Sequence, residues 1–255
     1  MNARLDAAAA PHSLRVLTVN VHKGFTALNR RFVLRELREA VREVHADLVF
    51  LQEIHGSRHV GDHERLEQPH YEFLADRLWP EFAYGRNAVT TRGDHGNALL
   101  SKYPIVSHEN VDVSVDRYER RGMLHCALRP PGSARPVHAI CVHLGLRESH
   151  RLRQLLQLCA FVKARIPPGE PVLVAGDFND WRGRAHALLA RSARFAEVFV
   201  EAQGHAARTF PARFPLLRLD RIYVRGVAGH APLALPARPW SHLSDHAPLA
   251  AEIRL

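Results

Sequence analysis

Several apolar segments of this sequence end on side chains that can do acid–base chemistry or bind a metal. In "PVLVAGDFNDWRG", residues 171–183, a run typical of a buried strand stops at Asp177 and Asp180. Asn179 lies between the two acids. Six further residues of this kind lie beside other apolar segments: Asn20, Glu53, His143, Asp220, Asp245 and His246. Because α/β proteins assemble their sites at strand ends flanked by loops, the set indicates one functional site.

Each of these residues also has a structural interpretation when it is considered alone. Asp177 or Asp180 could cap a helix over residues 184–193. Asn20 could occupy a left-handed turn, and Asp245 could belong to an ordinary turn. The functional interpretation is favoured for the set because such side chains recur at strand ends that could lie side by side.

The side chains of this set suit metal-assisted hydrolysis of a phosphate ester. Oxygen ligands such as Glu53 and Asp245 hold Mg²⁺ or Mn²⁺, whereas zinc would call for more Cys or paired His. Metal, carboxylate, amide and imidazolium together neutralise charge, activate water and stabilise the leaving oxygen. The sequence contains neither a Ser or Cys nucleophile elbow nor a Walker loop, which argues against those chemistries.

Two stretches of the sequence share a strand, helix, strand pattern. The first predicts strands over residues 14–21 and 46–53 around a helix over 30–45, and the second predicts strands over 137–144 and 171–178 around another helix. The first strands end in "VHKG" and "VHLG", and each second strand ends in an acid. We interpret this as a weak internal repeat, which would bring both acids to one edge.

Other segments predict short antiparallel strands, among them "GNALLSKYPI", "RGMLHCALR", "LDRIYV" and "HAPLAAEIRL". Ten or more strands with few helices exceed a simple doubly wound sheet, so we expect two packed sheets with helices outside. We predict a single domain over residues 14–255 after a disordered tail over residues 1–13. Residues 54–70, "IHGSRHVGDHERLEQPH", predict a long polar loop whose four histidines are solvated or, alternatively, bind a metal.

Composition is that of an ordinary globular protein, with 46% hydrophobic and 24% charged residues. Cys126, Cys141 and Cys159 lie in apolar segments without CxxC spacing, so they are interpreted as buried thiols in a reducing compartment. We expect a cytoplasmic protein without an integral membrane segment, because the sequence has no signal-peptide core and no run of 18 apolar residues. The oligomeric state stays open.

The net charge of +9 is compatible with polyanionic partners such as nucleic acid or phospholipid head groups. Only three of the 35 basic residues are lysines, and the arginines are scattered rather than grouped in a block. A generally basic, solvated surface is therefore as good an interpretation as a face that binds polyanions.

Seven segments together resemble the endonuclease/exonuclease/phosphatase (DNase I-like) superfamily of metal-dependent phosphoesterases. In chain order they are "TVNVHKG", "LVFLQEIHG", "GNALLSKYPI", "CVHLGL", "VAGDFND", "LDRIYV" and "SDHAPL", which cover nearly the whole chain. The resemblance implies an α/β (α+β) fold, a four-layer α/β/β/α sandwich with two mixed β-sheets packed face to face. The site would lie at one edge of the two sheets.

The resemblance also implies a role for each matching residue. Asp177 would orient or deprotonate the attacking water, and Asn179 would support that carboxylate and the phosphate. His246 would contact the scissile phosphate, with Asp220 as its orienting partner. His143 would act near the leaving group or the phosphate.

The implied cofactor is Mg²⁺ or Mn²⁺. Glu53 would ligate the metal, Asn20 would help to place metal or phosphate, and Asp245 would hold the metal region. Several nucleases of the superfamily have an acid two positions after the first Asn, where this sequence has His22. That departure leaves open a second acidic contact to the metal, and Lys23 would partly fill the space with positive charge.

Substrate choice is expected to depend on loops, because the superfamily cleaves several kinds of phosphate ester on one core. "ERRGMLHC" resembles a bacterial subgroup often encoded beside cardiolipin synthases, and in it Arg121 is either a phosphate contact or an exposed strand-end arginine. Trp181 and Tyr118 are either stacking platforms for bases or packing residues. The substrate is thus a phosphodiester of the nucleic-acid or phospholipid type. The alternative function is a non-catalytic binding module for phosphate, nucleic acid or lipid.

Overall fold

The computed structural model describes residues 13–27, 31–56, 68–90 and 93–255. The described residues form twelve β-strands and five α-helices. The strands are β1 (Ser13–Asn20), β2 (Leu48–His55), β3 (Glu81–Thr90), β4 (Gly93–Ser101), β5 (Ile105–Asp112), β6 (Gly122–Leu128), β7 (Val137–His143), β8 (Val172–Asp177), β9 (Ala196–Glu197), β10 (Asp220–Arg225), β11 (Gly229–Leu233) and β12 (Leu249–Arg254). The helices are α1 (Leu34–Glu43), α2 (His70–Ala75), α3 (Glu148–Arg165), α4 (Arg184–Ala193) and α5 (Val198–Gln203).

The strands form two six-stranded mixed sheets with the same internal arrangement. The first sheet has the order β11-β12-β1-β2-β4-β3, and the second has the order β5-β6-β7-β8-β10-β9. The two central strands of each sheet, β1 with β2 and β7 with β8, are parallel, and every other pairing is antiparallel. The two strand, helix, strand units predicted from the sequence therefore occupy equivalent central positions.

The sheets pack face to face with helices outside them, as predicted. A core of apolar side chains fills the space between the sheets, with Leu14 and Phe50 from the first sheet and Leu124 and Leu173 from the second. The outer face of the first sheet packs against α1 and α2, and that of the second packs against α3 and α4. This is the four-layer α/β/β/α sandwich, and the apolar core between the sheets fixes them relative to each other.

Local sequence explains most of these elements. The central strands are rich in β-branched and apolar residues because both of their faces are buried. Helix α1 places its apolar residues at helical spacing, so Leu34, Leu37 and Val41 are buried on one face. The three cysteines are free and buried, as predicted.

The structure corrects three boundaries. The helix expected over residues 30–45 is shorter, because an isolated bridge between Phe25 and Phe32 precedes α1. The loop expected over residues 54–70 is wrong at both ends: His55 pairs with His95 in the first sheet, and His70 begins α2. His59 and His63 lie outside the described residues.

Strand β1 begins at Ser13, the first residue that the structure describes. The tail expected over residues 1–13 otherwise lies outside the described residues. In the part of the chain that the structure describes, none of the helices combines the length and apolarity that crossing a bilayer requires.

A pair of buried histidines lies on the second sheet beside α3. The Nε2 atom of His125 is 2.9 Å from Nδ1 of His138, whose own Nε2 is 2.7 Å from a carboxylate oxygen of Glu170. The ring of Phe161 from α3 packs edge-on against His125. Burial, together with the positive charges of His138 and Arg165, lowers the pKa of His125 to about 4.

We expect acid to destabilise the fold through His125. Its folded-state pKa lies below the ordinary 6.5, so between these two values the unfolded chain binds more protons and the free energy of unfolding falls as the pH falls. His125→Gln should reduce this pH dependence by about 2 kcal/mol, measured by urea denaturation at about pH 7 and about pH 4.5. His108→Gln, at an exposed histidine of β5, is the control, and an equal reduction there would contradict the assignment.

Candidate active site

The predicted site residues meet at one edge of the two sheets. In the second sheet, His143 and Asp177 are register partners at the carboxyl ends of the parallel strands β7 and β8. Asp220, the first residue of the antiparallel strand β10, is the register partner of Asp177 on the other side. In the first sheet, Asn20 ends β1 beside the end of β2. Strand pairing thus places the three second-sheet residues side by side, and the packing of the two sheets brings Asn20 to them.

Asp177 lies at the centre of this group. Its side chain is almost fully buried, and its Oδ1 accepts a hydrogen bond of 2.9 Å from the backbone N–H of Asn179. Its Oδ2 accepts a hydrogen bond of 3.2 Å from the side-chain amide of Asn20. The Nε2 atoms of His143 and His246 lie 3.5 Å and 3.8 Å from the same oxygen. One carboxylate therefore contacts residues from both sheets.

His246 and Asp220 form a buried hydrogen-bonded pair. The Nδ1 of His246 is 2.9 Å from Oδ2 of Asp220, which leaves Nε2 directed toward Asp177. The ring of Phe210 packs against the His246 ring at a centroid distance of 5.1 Å. The hydroxyl of Thr209 accepts a hydrogen bond of 3.3 Å from the Asp220 backbone N–H. The pair is thus held both by packing and by backbone contacts.

The pKa values of His246 and His143 are shifted in opposite directions. Burial alone would lower the pKa of His246, but the charges of Asp220 and Asp177 and the Asp220 hydrogen bond outweigh it and raise that pKa to about 10. Burial lowers the pKa of His143 well below its usual value, and the positive charges of Arg121 and His246 lower it further. At neutral pH, His246 is therefore an imidazolium and His143 a neutral imidazole.

The pKa of Asp177 is also shifted. Burial raises its pKa, and the charge of Asp220 adds to the rise, while His246 and the hydrogen bonds from Asn179 and Asn20 oppose it. The result is a carboxylate with a pKa of about 6. Such a group can accept a proton near neutral pH and is a suitable general base.

Glu53 reaches the site through an irregularity in β2. The register between β2 and β4 shifts between Leu51 and Ile54, and Glu53 adopts a left-handed φ of 55°. The bulge directs its carboxylate to within 3.5 Å of the Asn20 amide nitrogen and 4.0 Å of His143 Nε2. Glu53 therefore joins the group at its more exposed side.

Asp245 is held from the side by His22. Its Oδ2 lies 3.1 Å from Nδ1 of His22. Burial would raise the pKa of Asp245, but the hydrogen bond from His22 and the charges of His246 and His22 lower it. The hydroxyl of the neighbouring Ser244 donates to the backbone carbonyl of Asn20 at 2.7 Å, which fastens this segment to β1.

The donor chemistry of the site fits a hard divalent cation. Glu53 and Asp245 offer carboxylate oxygens, and Asn20 offers an amide, which are ligands that Mg²⁺ and Mn²⁺ prefer. A compact group of ligand atoms within 4.8 Å of one another is formed instead by Asp177, Asp220 and His246. In that group Asp220 and His246 already bind each other, so the assignment of Glu53, Asn20 and Asp245 to the metal stays a prediction.

Asn179 and Arg121 also lie within reach of this group. The side-chain amide of Asn179 donates to the carbonyl of Leu144 at 3.0 Å, so it ties the loop after β8 to that after β7. Arg121 donates to Glu119 at 3.1 Å, while its Nε is buried without a hydrogen-bond partner. Because its charge lowers the pKa of His143, Arg121 is an interior neighbour of the site rather than a freely exposed arginine.

Trp181 lies at the rim. Its side chain is exposed, and the guanidinium of Arg182 stacks on it 4.5 Å from the ring centroid. Sequence reasoning missed other contributors, namely Thr209, Phe210 and Ser244, together with the pairing of His22 with Asp245. Of these, only Ser244 could have been found from the sequence, because it directly precedes Asp245. Thr209, Phe210 and His22 lie far along the chain from the residues they contact.

This combination of a two-sheet sandwich and a carboxylate–imidazole edge is typical of a class of phosphoesterases. The sequence profile described as "Endonuclease/Exonuclease/phosphatase family" matches residues 17–246. The chain belongs to that family. It is 58% identical over 246 residues to the uncharacterised protein YbhP of Escherichia coli strain K12, covering 95% of this chain and 97% of that one, and a Shigella flexneri YbhP matches equally.

Solved structures share the fold at low sequence identity. An endonuclease/exonuclease/phosphatase from Beutenbergia cavernae superposes with a TM-score of 0.78 at 20% identity, covering 95% of this chain and 72% of that one. D. rerio TDP2, complexed with single strand DNA product, superposes with a TM-score of 0.70 at 19% identity, covering 95% and 99%. At these identities the likeness shows the common sandwich.

Asp180, which follows Asp177 closely, has the capping role that the sequence suggested. Its two carboxylate oxygens accept hydrogen bonds from the first backbone N–H groups of α4, at 3.1 Å from Arg184 and 2.7 Å from Ala185. Asp180→Ala should therefore lower the free energy of unfolding by about 1–2 kcal/mol, measured by urea denaturation. Arg191→Ala, on the exposed side of α4, is the control, and equal stability of both variants would contradict the cap.

The pKa of His246 should depend on its pairing with Asp220. Asp220→Asn removes both the negative charge and the strongest acceptor of the His246 Nδ1 proton, so the pKa of His246 should fall clearly. An NMR titration of the imidazole resonances in the metal-free protein measures this. Asp245→Asn, which removes a weaker neighbour of the same ring, should lower that pKa less, and the reverse order would contradict the proposed pairing.

Proposed function

We propose that this protein is a divalent-metal-dependent phosphodiesterase in which Asp177 activates the attacking water. The observation that carries the proposal is the contact of one buried carboxylate, whose pKa is raised to about 6, with a buried imidazolium. A base and a cation held within a few ångströms of each other provide what the attack of water on an anionic ester requires.

Asp177 has the geometry of a base. Its Oδ1 is fixed by the backbone of Asn179, while Oδ2 is shared among neighbours at 3.2–3.8 Å and has room for an exchange of partners. In the proposed step a water molecule donates a proton to Asp177 as its oxygen attacks phosphorus. The bond between phosphorus and the leaving oxygen breaks, and the leaving oxygen takes up a proton from solvent. The Asn20 amide keeps the carboxylate oriented during that transfer.

In this proposal His246 donates a hydrogen bond to the phosphate. Asp220 fixes Nδ1, so the proton on Nε2 points into the site and can be donated to a non-bridging phosphate oxygen. The positive charge would stabilise the transition state more than the ground state, because negative charge concentrates on the phosphate oxygens during attack. Neutral His143 would hydrogen-bond to the phosphate or the leaving oxygen from the opposite side.

Glu53, Asn20 and Asp245 would hold the cation, Mg²⁺ or Mn²⁺. When bound there, the cation would neutralise phosphate charge and support the departing oxygen. Arg121 would add a further positive charge beside His143, and Trp181 would contact the substrate at the rim.

The substrate class is proposed to be a phosphodiester. The likeness to D. rerio TDP2, a protein solved with single strand DNA product, supports a nucleic-acid end as one candidate. A phospholipid-type diester is the other candidate. The cytoplasmic location expected from the sequence stays a prediction.

The test is hydrolysis of bis-p-nitrophenyl phosphate, single-stranded DNA and phospholipid by the purified protein with Mg²⁺ or Mn²⁺. Asp177→Asn and His246→Gln should each lower kcat by about a hundredfold or more, because each removes a charge used in the transition state. Glu53→Gln should raise the metal concentration needed for half-maximal activity.

Asp180→Asn is the matched control, since it makes the same chemical change three residues away in a cap that keeps an acceptor oxygen. It should retain kcat. Full activity in both Asp177→Asn and His246→Gln would sink the mechanism. Failure of the wild-type protein to hydrolyse any of the three substrates, with binding intact, would favour the non-catalytic module.

A further inference from the structure

The loop that leads into Asp220, residues 206–218, exposes three large apolar side chains. Phe214 is 71% exposed, Leu216 53% and Leu217 40%. Large apolar side chains that are exposed close together often mark an interaction surface. The loop is therefore a candidate docking element.

The loop is fixed next to the candidate active site. The backbone N–H of Ala212 donates to the carbonyl of Asp245 at 2.7 Å, and that of Ala247 donates to the carbonyl of Thr209 at 2.7 Å. An antiparallel bridge between Phe210 and Leu217 closes its base. Backbone hydrogen bonds to Asp245 and Ala247 thus hold the apolar tip in place at the edge of the candidate site.

Charge around the loop is strongly one-sided. Residues 206–218 contain three arginines and no acid, and Arg238 lies beside the same cavity as two of them. Arg213 and Arg218 flank the apolar tip directly in sequence.

Three of these arginines line one open cavity beside the loop. The cavity, of about 620 Å³, is bounded by Arg208, Arg213 and Arg238, with apolar walls that include Leu233 and Trp240. None of the described residues that line it is acidic. We call it the arginine cavity; its size and charge suit an anionic head group with apolar atoms attached.

Neighbouring loops repeat the pattern at the same edge. Tyr118, Leu146 and Trp181 are exposed in the loops before β6, after β7 and after β8, and each has an arginine beside it in sequence. Two of those arginines are paired with acids, Arg147 with Asp116 and Arg182 with Glu148. Arg208, Arg213 and Arg238 form no ion pair with an acid among the described residues, so the 206–218 loop combines three exposed apolar side chains with unpaired charge, as the Tyr118 loop does with one.

We propose that the 206–218 loop and the arginine cavity dock the protein on an anionic phospholipid bilayer. Phe214, Leu216 and Leu217 would enter the acyl region, while Arg208, Arg213 and Arg238 bind head-group phosphates at the interface. Leucine side chains cannot stack on bases, so a single-stranded nucleic acid explains the tip less well. That the docked bilayer also supplies the substrate is a consequence that rests on the proposed function.

The test is co-sedimentation with vesicles, using the Asp177→Ala protein in EDTA so that binding is measured without turnover. Vesicles of equal parts phosphatidylcholine and phosphatidylglycerol should bind the protein, and vesicles of phosphatidylcholine alone should bind it far less. The variant Phe214→Ser/Leu216→Ser/Leu217→Ser should lower the partition coefficient by about tenfold or more.

The matched apolar control is Leu78→Ser/Phe82→Ser/Val106→Ser. These residues are one phenylalanine and two aliphatic residues that are exposed at the opposite edge of the sheets. The control should bind vesicles like the parent protein. Equal losses in both variants would overturn the assignment to the 206–218 loop.

The charge is tested by Arg208→Gln/Arg213→Gln/Arg238→Gln, which should lower binding to the anionic vesicles about a hundredfold. Its control removes three exposed arginines elsewhere, namely Arg129→Gln/Arg135→Gln/Arg191→Gln. Circular dichroism of every variant verifies that it is folded.

Three results would overturn the proposal. They are the absence of binding to anionic vesicles, loop-dependent binding to a single-stranded oligonucleotide instead, and loop-dependent self-association in size-exclusion chromatography. None of them affects the hydrolysis assay of the soluble diester, so a failure of docking and a failure of the proposed function give separate readouts.

Discussion

The burial of the Asp177 carboxylate is the constraint on which the site depends. A charge removed from water is costly unless partners surround it, and here those partners are an amide from the first sheet, two imidazoles and a backbone N–H. Several of them come from distant parts of the chain, so their positions rely on two sheets packed in one register. The apolar layer between the sheets, with Phe50 against the second sheet, thereby keeps Asn20 and Asp177 within hydrogen-bonding distance.

Much of the fold and of the site was predictable because local sequence and burial agree there. The runs around Leu17 and Val174 are apolar on both faces and are central parallel strands, as their composition predicts. Since parallel strands joined by a helix end at the same edge, the placement of polar residues after those runs was enough to predict that Asn20, His143 and Asp177 converge.

The remaining features depend on contacts between residues that are far apart in sequence. Residues 198–203, "VFVEAQ", have the composition of a strand, yet they form α5 because Glu197 caps the segment and the neighbouring strands pack against it. The bulge that turns Glu53 into the site exists only against β4. Likewise His22 and Asp245 are far apart in the sequence, and no hydrophobic periodicity predicts that they pair.

The position of β12 has a consequence for how the protein is made. That strand lies between β11 and β1 in the first sheet, so β1 lacks one of its two neighbours until β12, far later in the sequence, has been synthesised. Asp245 and His246 arrive with β12 as well. A nascent chain therefore carries an open sheet edge beside β1, and lacks the buried imidazolium of His246, until β12 emerges. Protection of that edge from aggregation and completion of the candidate site thus coincide in one event.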